Sequence, residues 1–107
     1  MSTGMNDRRD AFEKKFALDE ELRFKAEARR NKLLGLWAAA QLGKHGADAE
    51  AYAHEVVASD FEEAGDEDVF RKIRVDFDSA GIAQTDDVIR EKMFAFLEEA
   101  IQQVQKV

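Results

Sequence analysis

The chain has 107 residues, of which 45% are apolar, 36% charged and 9% aromatic, and it carries a formal net charge of -7 with no cysteine and no proline. One domain with a modest core fits that length; no thiolates are present for a disulfide or zinc scaffold, and the Lys and Arg surplus that phosphate neutralisation needs is missing. No run of about 18 apolar residues is long enough to cross a bilayer and no export signal opens the sequence, so a cytoplasmic protein that neither inserts in membranes nor binds nucleic acid is expected.

Charge is unevenly placed. Residues 1–32 hold nine Lys/Arg against seven Asp/Glu, whereas residues 33–107 hold seven against sixteen. A mixed, slightly basic arm therefore precedes an acidic body. With proline absent and β-branched residues sparse, the class is all-α: a four-helix bundle with a mobile, helix-capable N-terminal arm. The division expected is an arm over residues 1–19 and a four-helix domain over 20–107.

Along the arm, Asp10 with Lys14, Asp19 with Arg23 and Glu21 with Lys25 are acid-before-base pairs at i,i+4, each contributing about 0.2–0.5 kcal/mol. They make the arm helix-capable without anchoring it. The first helix of the body continues through "RFKAEARRNKLLGLWAAAQLG", residues 23–43, and stops at Gly43. On a helical wheel Leu18, Leu22, Ala26, Leu33, Leu36, Trp37 and Ala40 share one stripe, with Phe12 and Phe16 at its edge and Phe24 opposite. The cations Arg29, Arg30 and Lys32 read as a solvated face. Interleaved with aromatics, they also suit a helix that docks by apolar anchors and is oriented by charge.

A second helix is expected from Asp48 as N-cap through Tyr52, Val56, Val57 and Phe61 to about Gly65. A third opens at Asp66, Glu67 and Asp68, whose carboxylates suit the positive end of a helix dipole; it carries Val69, Phe70, Ile73 and Phe77 and stops at Gly81. Thr85 caps a fourth, with Val88, Ile89, Met93, Phe96, Leu97, Ile101 and Val104 at three-four spacing. Short connections favour a compact bundle.

Chemistry-bearing patterns are few. "DFDSAGIAQTDD", residues 76–87, places acids and a glycine as a calcium loop does, but Ala80 and Asp87 replace two of the ligands such a loop needs. A helix stop at Gly81 and a cap at Thr85 explain the same residues. His45 and His54 are too far apart for a zinc site without thiolates and read as surface residues. No phosphate-binding loop, dinucleotide turn or nucleophile elbow is present, so neither an enzyme nor a bound cofactor is expected.

Residues 12–38, "FEKKFALDEELRFKAEARRNKLLGLWA", and residues 49–73, "AEAYAHEVVASDFEEAGDEDVFRKI", resemble the zeta subunit, the small inhibitor of the F-type ATP synthase of alphaproteobacteria. The resemblance implies that the arm inserts as a helix into a catalytic α/β interface of the ATPase head near the rotor and stops hydrolysis. It implies contacts with the α, β and γ subunits through Arg8, Arg9, Phe12, Lys14, Lys15, Phe16, Glu20, Arg23, Phe24 and Lys25, and a free subunit that is monomeric. Ala28, Arg29, Arg30, Asn31 and Lys32 continue the family pattern. At Leu18 the chain departs from it, since histidine is common at that place in the family. Two alternatives stand beside this reading: an acidic helical adaptor for another protein groove, and a calcium-responsive helical protein.

Overall fold

The computed structural model describes residues 20–60 and 66–105. Among them are four helices and no strand: α1 (Glu20–Gln41), α2 (Gly46–Ser59), α3 (Glu67–Ala80) and α4 (Asp86–Gln105). The 22 residues of α1 reach about 33 Å. This long helix packs along both α2 and α4, while α3 lies against α2 and α4.

Two glycines end helices as expected. Gly43 and Gly81 adopt φ of 79° and 72°, left-handed backbone that costs a residue without Cβ nothing. In each case the following amide reaches back over the last turn, Lys44 N–H to the Ala39 carbonyl at 2.9 Å and Ile82 N–H to that of Phe77 at 2.8 Å, which satisfies a carbonyl the helix leaves open. Thr85 caps α4 through its hydroxyl, which accepts the Val88 N–H at 3.2 Å. The start of α2 differs from expectation. His45, in extended backbone, is the N-cap and makes no side-chain cap bond, and Asp48 sits inside the first turn. Gly46 takes a positive φ of 55° and turns the chain early, so Asp48 acts through the helix dipole instead. The end of α2 also comes sooner, at Ser59 with Asp60 as C-cap; Phe61 and Gly65 lie outside the described residues.

The core is built from Leu34, Ala38, Ala39, Tyr52, Val56, Val69, Ile73, Phe77, Ile89 and Met93. Phe77 meets Trp37 edge to face at 5.6 Å between ring centroids, a favoured aromatic geometry. On α3 the buried Val69, Ile73 and Phe77 form one i,i+4 ridge.

The buried face of α1 is not the stripe of large residues read from the wheel. Two rows face inward instead, Ala26, Arg30, Leu34 and Ala38 beside Asn31, Gly35 and Ala39, while Leu33, Leu36 and Trp37 are half-buried and Ala40 is exposed. Close approach is the reason. A Cβ built on Gly35 would lie 2.7 Å from the Ala53 Cα of α2, so only small residues fit where the two backbones meet. The larger side chains are displaced to the flanks of the contact.

Candidate protein-binding face

The lower half of α1, Glu20 to Lys32, holds the described members of the predicted site. Arg8, Arg9, Phe12, Lys14, Lys15 and Phe16 lie outside the described residues. Glu20 and Glu21 sit in the first turn of α1, where carboxylates suit the positive end of the dipole. Arg23 donates to Glu27 at 3.3 Å; the expected partnership of Glu21 with Lys25 is not among the ion pairs of the described residues. Phe24 is 61% exposed, comparable with Phe94 of α4 at 64%, so its ring is open on the surface of the described bundle.

Phe24 and Lys25 line a groove of about 660 Å³ between α1, α2 and the end of α4. Its apolar lining comes from Leu22 and Ala28 of α1, Ala53 and Val57 of α2, and Val104 of α4. Lys25, Arg29 and Lys32 stand on the same lining, spaced so that one helix face carries all three. Neither Lys25 nor Arg29 is in an ion pair among the described residues, and Lys32 reaches Glu50 only at 3.9 Å with both side chains about half exposed. Like charges at such spacings cost a helix about 0.2–0.5 kcal/mol per pair, so the triplet weakens α1 with little return from within the bundle. His54, a surface residue as expected, lines the same groove. Glu20 and Arg23 are not part of it.

The opposite side of this half-helix corrects the solvated-face reading at Arg30. Its side chain is 1% exposed, as is that of Asn31. The guanidinium donates to Asp66 from Nη2 at 2.8 Å and, weakly, from Nη1 at 3.5 Å, and Nε donates to the Asn31 side-chain oxygen at 2.6 Å. Asn31 in turn donates to Asp60 at 2.9 Å. Asp60 and Asp66 flank the α2–α3 connection, so this network ties the stem of α1 to both ends of that connection. Burial pushes the Asp60 carboxyl up from its ordinary value, and this outweighs the opposing effects of the Asn31 hydrogen bond and the Arg30 charge. A fork of donors on a carboxylate is the pairing for which arginine is suited. The sequence signal that could have located it is the "RRN" run facing "SDFEEAGDED", but only the fold says which arginine turns inward.

Two of the calcium-loop acids, Asp76 and Asp78, and the neighbouring Asp86 are engaged elsewhere. Asp76 accepts from Tyr52 at 2.7 Å and from Lys72 at 2.9 Å, while Asp78 and Asp86 both accept from Arg74 at 2.8 Å. Each carboxylate thus closes a contact within the bundle rather than converging on an ion, and no group of three or more metal-ligating side chains is placed for a metal among the described residues. The same packing raises the Tyr52 hydroxyl well above its ordinary value, by burial first and by the Asp76 carboxylate second. Burial alone would lower Lys72, but hydrogen bonds to Asp76 and Glu55 more than offset it and hold its ammonium above the ordinary range. No helix of the described residues is long and apolar enough to cross a membrane.

A family model described as ATPase inhibitor subunit zeta matches residues 1–103. The chain is also similar to a protein whose structure was solved by solution NMR, at 49% sequence identity over 79% of this chain and 96% of that one, with a TM-score of 0.71. No curated protein matches it. A match that runs through the arm, the basic stem and all four helices shows that the chain belongs to the ATPase inhibitor subunit zeta family.

Proposed function

We propose that this chain inhibits ATP hydrolysis by an F-type ATP synthase, its N-terminal segment entering a catalytic α/β interface near the rotor as a helix and blocking rotation. It acts as a protein ligand of the α, β and γ subunits in the cytoplasm, beside the membrane, and performs no chemistry of its own. The observation that carries the reading is the family match, which begins at residue 1 and so includes the arm as well as the bundle. The open face of α1 supports it. Phe24 stands exposed beside Lys25 and Arg29, which are in no ion pair among the described residues, at the point where the arm joins the bundle, a composition that serves binding.

In this mechanism residues 1–19 form the wedge. Phe12, Phe16 and Phe24 fill apolar pockets while Arg8, Arg9, Lys14, Lys15, Arg23 and Lys25 meet carboxylates, and Glu20 completes the polar rim. Ordering the wedge costs about 1–2 kcal/mol per residue of backbone. Residues 20–107 hold it near its target, which raises its effective concentration there.

The test is a hydrolysis assay with the cognate ATPase, comparing the full chain with one lacking residues 1–19. The full chain should suppress hydrolysis and the shortened one, still helical by circular dichroism, should not. Equal inhibition by both would overturn the assignment of the wedge.

A further inference from the structure

We propose that the groove between α1, α2 and α4 is a second docking surface, at the foot of the wedge and sharing Phe24 and Lys25 with the inhibitory contact, which takes an acidic amphipathic helix on the outside of the ATPase. The inference rests on the inhibitor reading and deepens it. Three observations converge on this occupant. The lining is apolar where Ala28, Val57 and Val104 meet, and about 660 Å³ of space holds a few anchoring side chains rather than a whole helix. Phe24 stands open at 61% exposure and offers a ring against which such anchors can pack. Lys25, Arg29 and Lys32 mark the same lining with positive charge on a chain whose net charge is -7, so this face is locally opposite in sign to the rest of the molecule and selects a negative partner.

The two occupants closest to hand fit less well. Residues 1–19 carry four Lys/Arg against four Asp/Glu, and a balanced segment leaves three rim cations uncompensated. A second copy brings a net charge of -7 toward another of -7, a long-range repulsion that a local contact must overcome. A negative helix on a larger assembly has neither defect.

Arg29 is exposed and outside every ion pair of the described residues, so reversing its charge leaves the bundle's own contacts intact. The experiment measures the concentration of full chain that half-inhibits hydrolysis by the cognate ATPase, for the natural sequence, Arg29→Glu, Arg29→Lys and Lys44→Glu. Lys44 lies beyond the other end of α1 and matches Arg29→Glu in charge change. Arg29→Glu should raise the half-inhibiting concentration about tenfold and flatten its salt dependence, with full inhibition still reached at saturation because the wedge is untouched. Arg29→Lys should restore most of the potency, and Lys44→Glu should change it less than about twofold.

Equal potency of Arg29→Glu and Lys44→Glu would overturn the groove while leaving the inhibitor reading standing. Failure of the natural chain to inhibit at any concentration would overturn both. Two measurements on the free chain identify a rival occupant and would equally overturn the proposal. One is a dimer in sedimentation that Arg29→Glu dissolves; the other is a set of amide shifts in residues 7–18 on the same substitution.

Discussion

Arg29 and Arg30 are neighbours in sequence and about 100° apart around α1. Arg30 is 1% exposed and forked onto Asp66, whereas Arg29 is exposed beside an open groove and has no ion pair among the described residues. What separates them is the element lying opposite. The α2–α3 connection brings Asp60 and Asp66 to one side of the stem, and there an arginine becomes an interior strut. Among the described residues no carboxylate pairs with Lys25 or Arg29, and there the same chemistry stays available to a partner. A basic run on a helix can therefore hold structure and binding side by side, sorted by rotation alone.

The sharpest way to break this comparison is to strip each arginine of its setting. Asp66→Ala leaves the buried Arg30 charge without its carboxylate fork and should cost about 3 kcal/mol, since stranding a buried charge is costly. Arg29→Ala should stay within about 0.5 kcal/mol. Urea denaturation followed by the fluorescence of Trp37, the single tryptophan, reads both, and equal losses would sink the distinction. Next in size is Gly35→Ala at the packed end of the same helix. An isolated helix would gain about 1 kcal/mol from the exchange, but the new methyl meets Ala53 backbone at 2.7 Å, so a net loss of about 1–3 kcal/mol is expected. A gain in the same denaturation assay would show that α1 and α2 can part without penalty.

Two titrations probe the buried polar groups. Tyr52 is the only tyrosine, and burial holds its hydroxyl above the ordinary value of 10.0. The folded state thus holds the phenol proton more tightly than the unfolded chain, and the stability this confers is present below pH 10 and lost above it. Phenolate absorbance should stay absent at pH 11 and emerge only with unfolding; a smooth titration near pH 10 in the folded protein would contradict the burial. The smaller effect belongs to Asp60, whose folded value is raised above 3.8. Its contribution favours the folded state at low pH and declines as pH rises from the unfolded value through the folded one. Asp60→Asn should remove that decline and flatten stability against pH just above 3.8, measured by thermal melts across mild acid.

Much of the fold was legible because local chemistry and tertiary packing agree. Gly43, Gly81 and Thr85 mark ends that depend on φ and on one hydroxyl, and the Val69, Ile73 and Phe77 ridge follows from spacing. The phase of α1 was not legible in the same way. Its wheel is populated by Leu and Trp on one side and by Ala, Gly, Arg and Asn on the other. Weighting by size selects the wrong side when the true contact is a close approach at Gly35. Arg30 and Asn31 were missed for a related reason: a buried cation is stable only with its carboxylate, and Asp66 is 36 residues away in sequence. Phe24 was singled out as lying off the apolar stripe, but the wheel alone did not explain its exposure: it stands seven residues before the buried Asn31, on the side that packs further along α1, and is nevertheless 61% exposed. The groove beside it needed α2 and α4 in place, since Val57 and Val104 come together only in the bundle.

The central claim is that the chain stops hydrolysis by its ATPase. The most direct measurement is the ATP hydrolysis rate of the purified cognate enzyme as the full chain is titrated in. The account predicts a saturable fall in rate, reached at lower concentration by the natural chain than by Phe24→Ala. A rate unchanged at a large excess of the chain would contradict it.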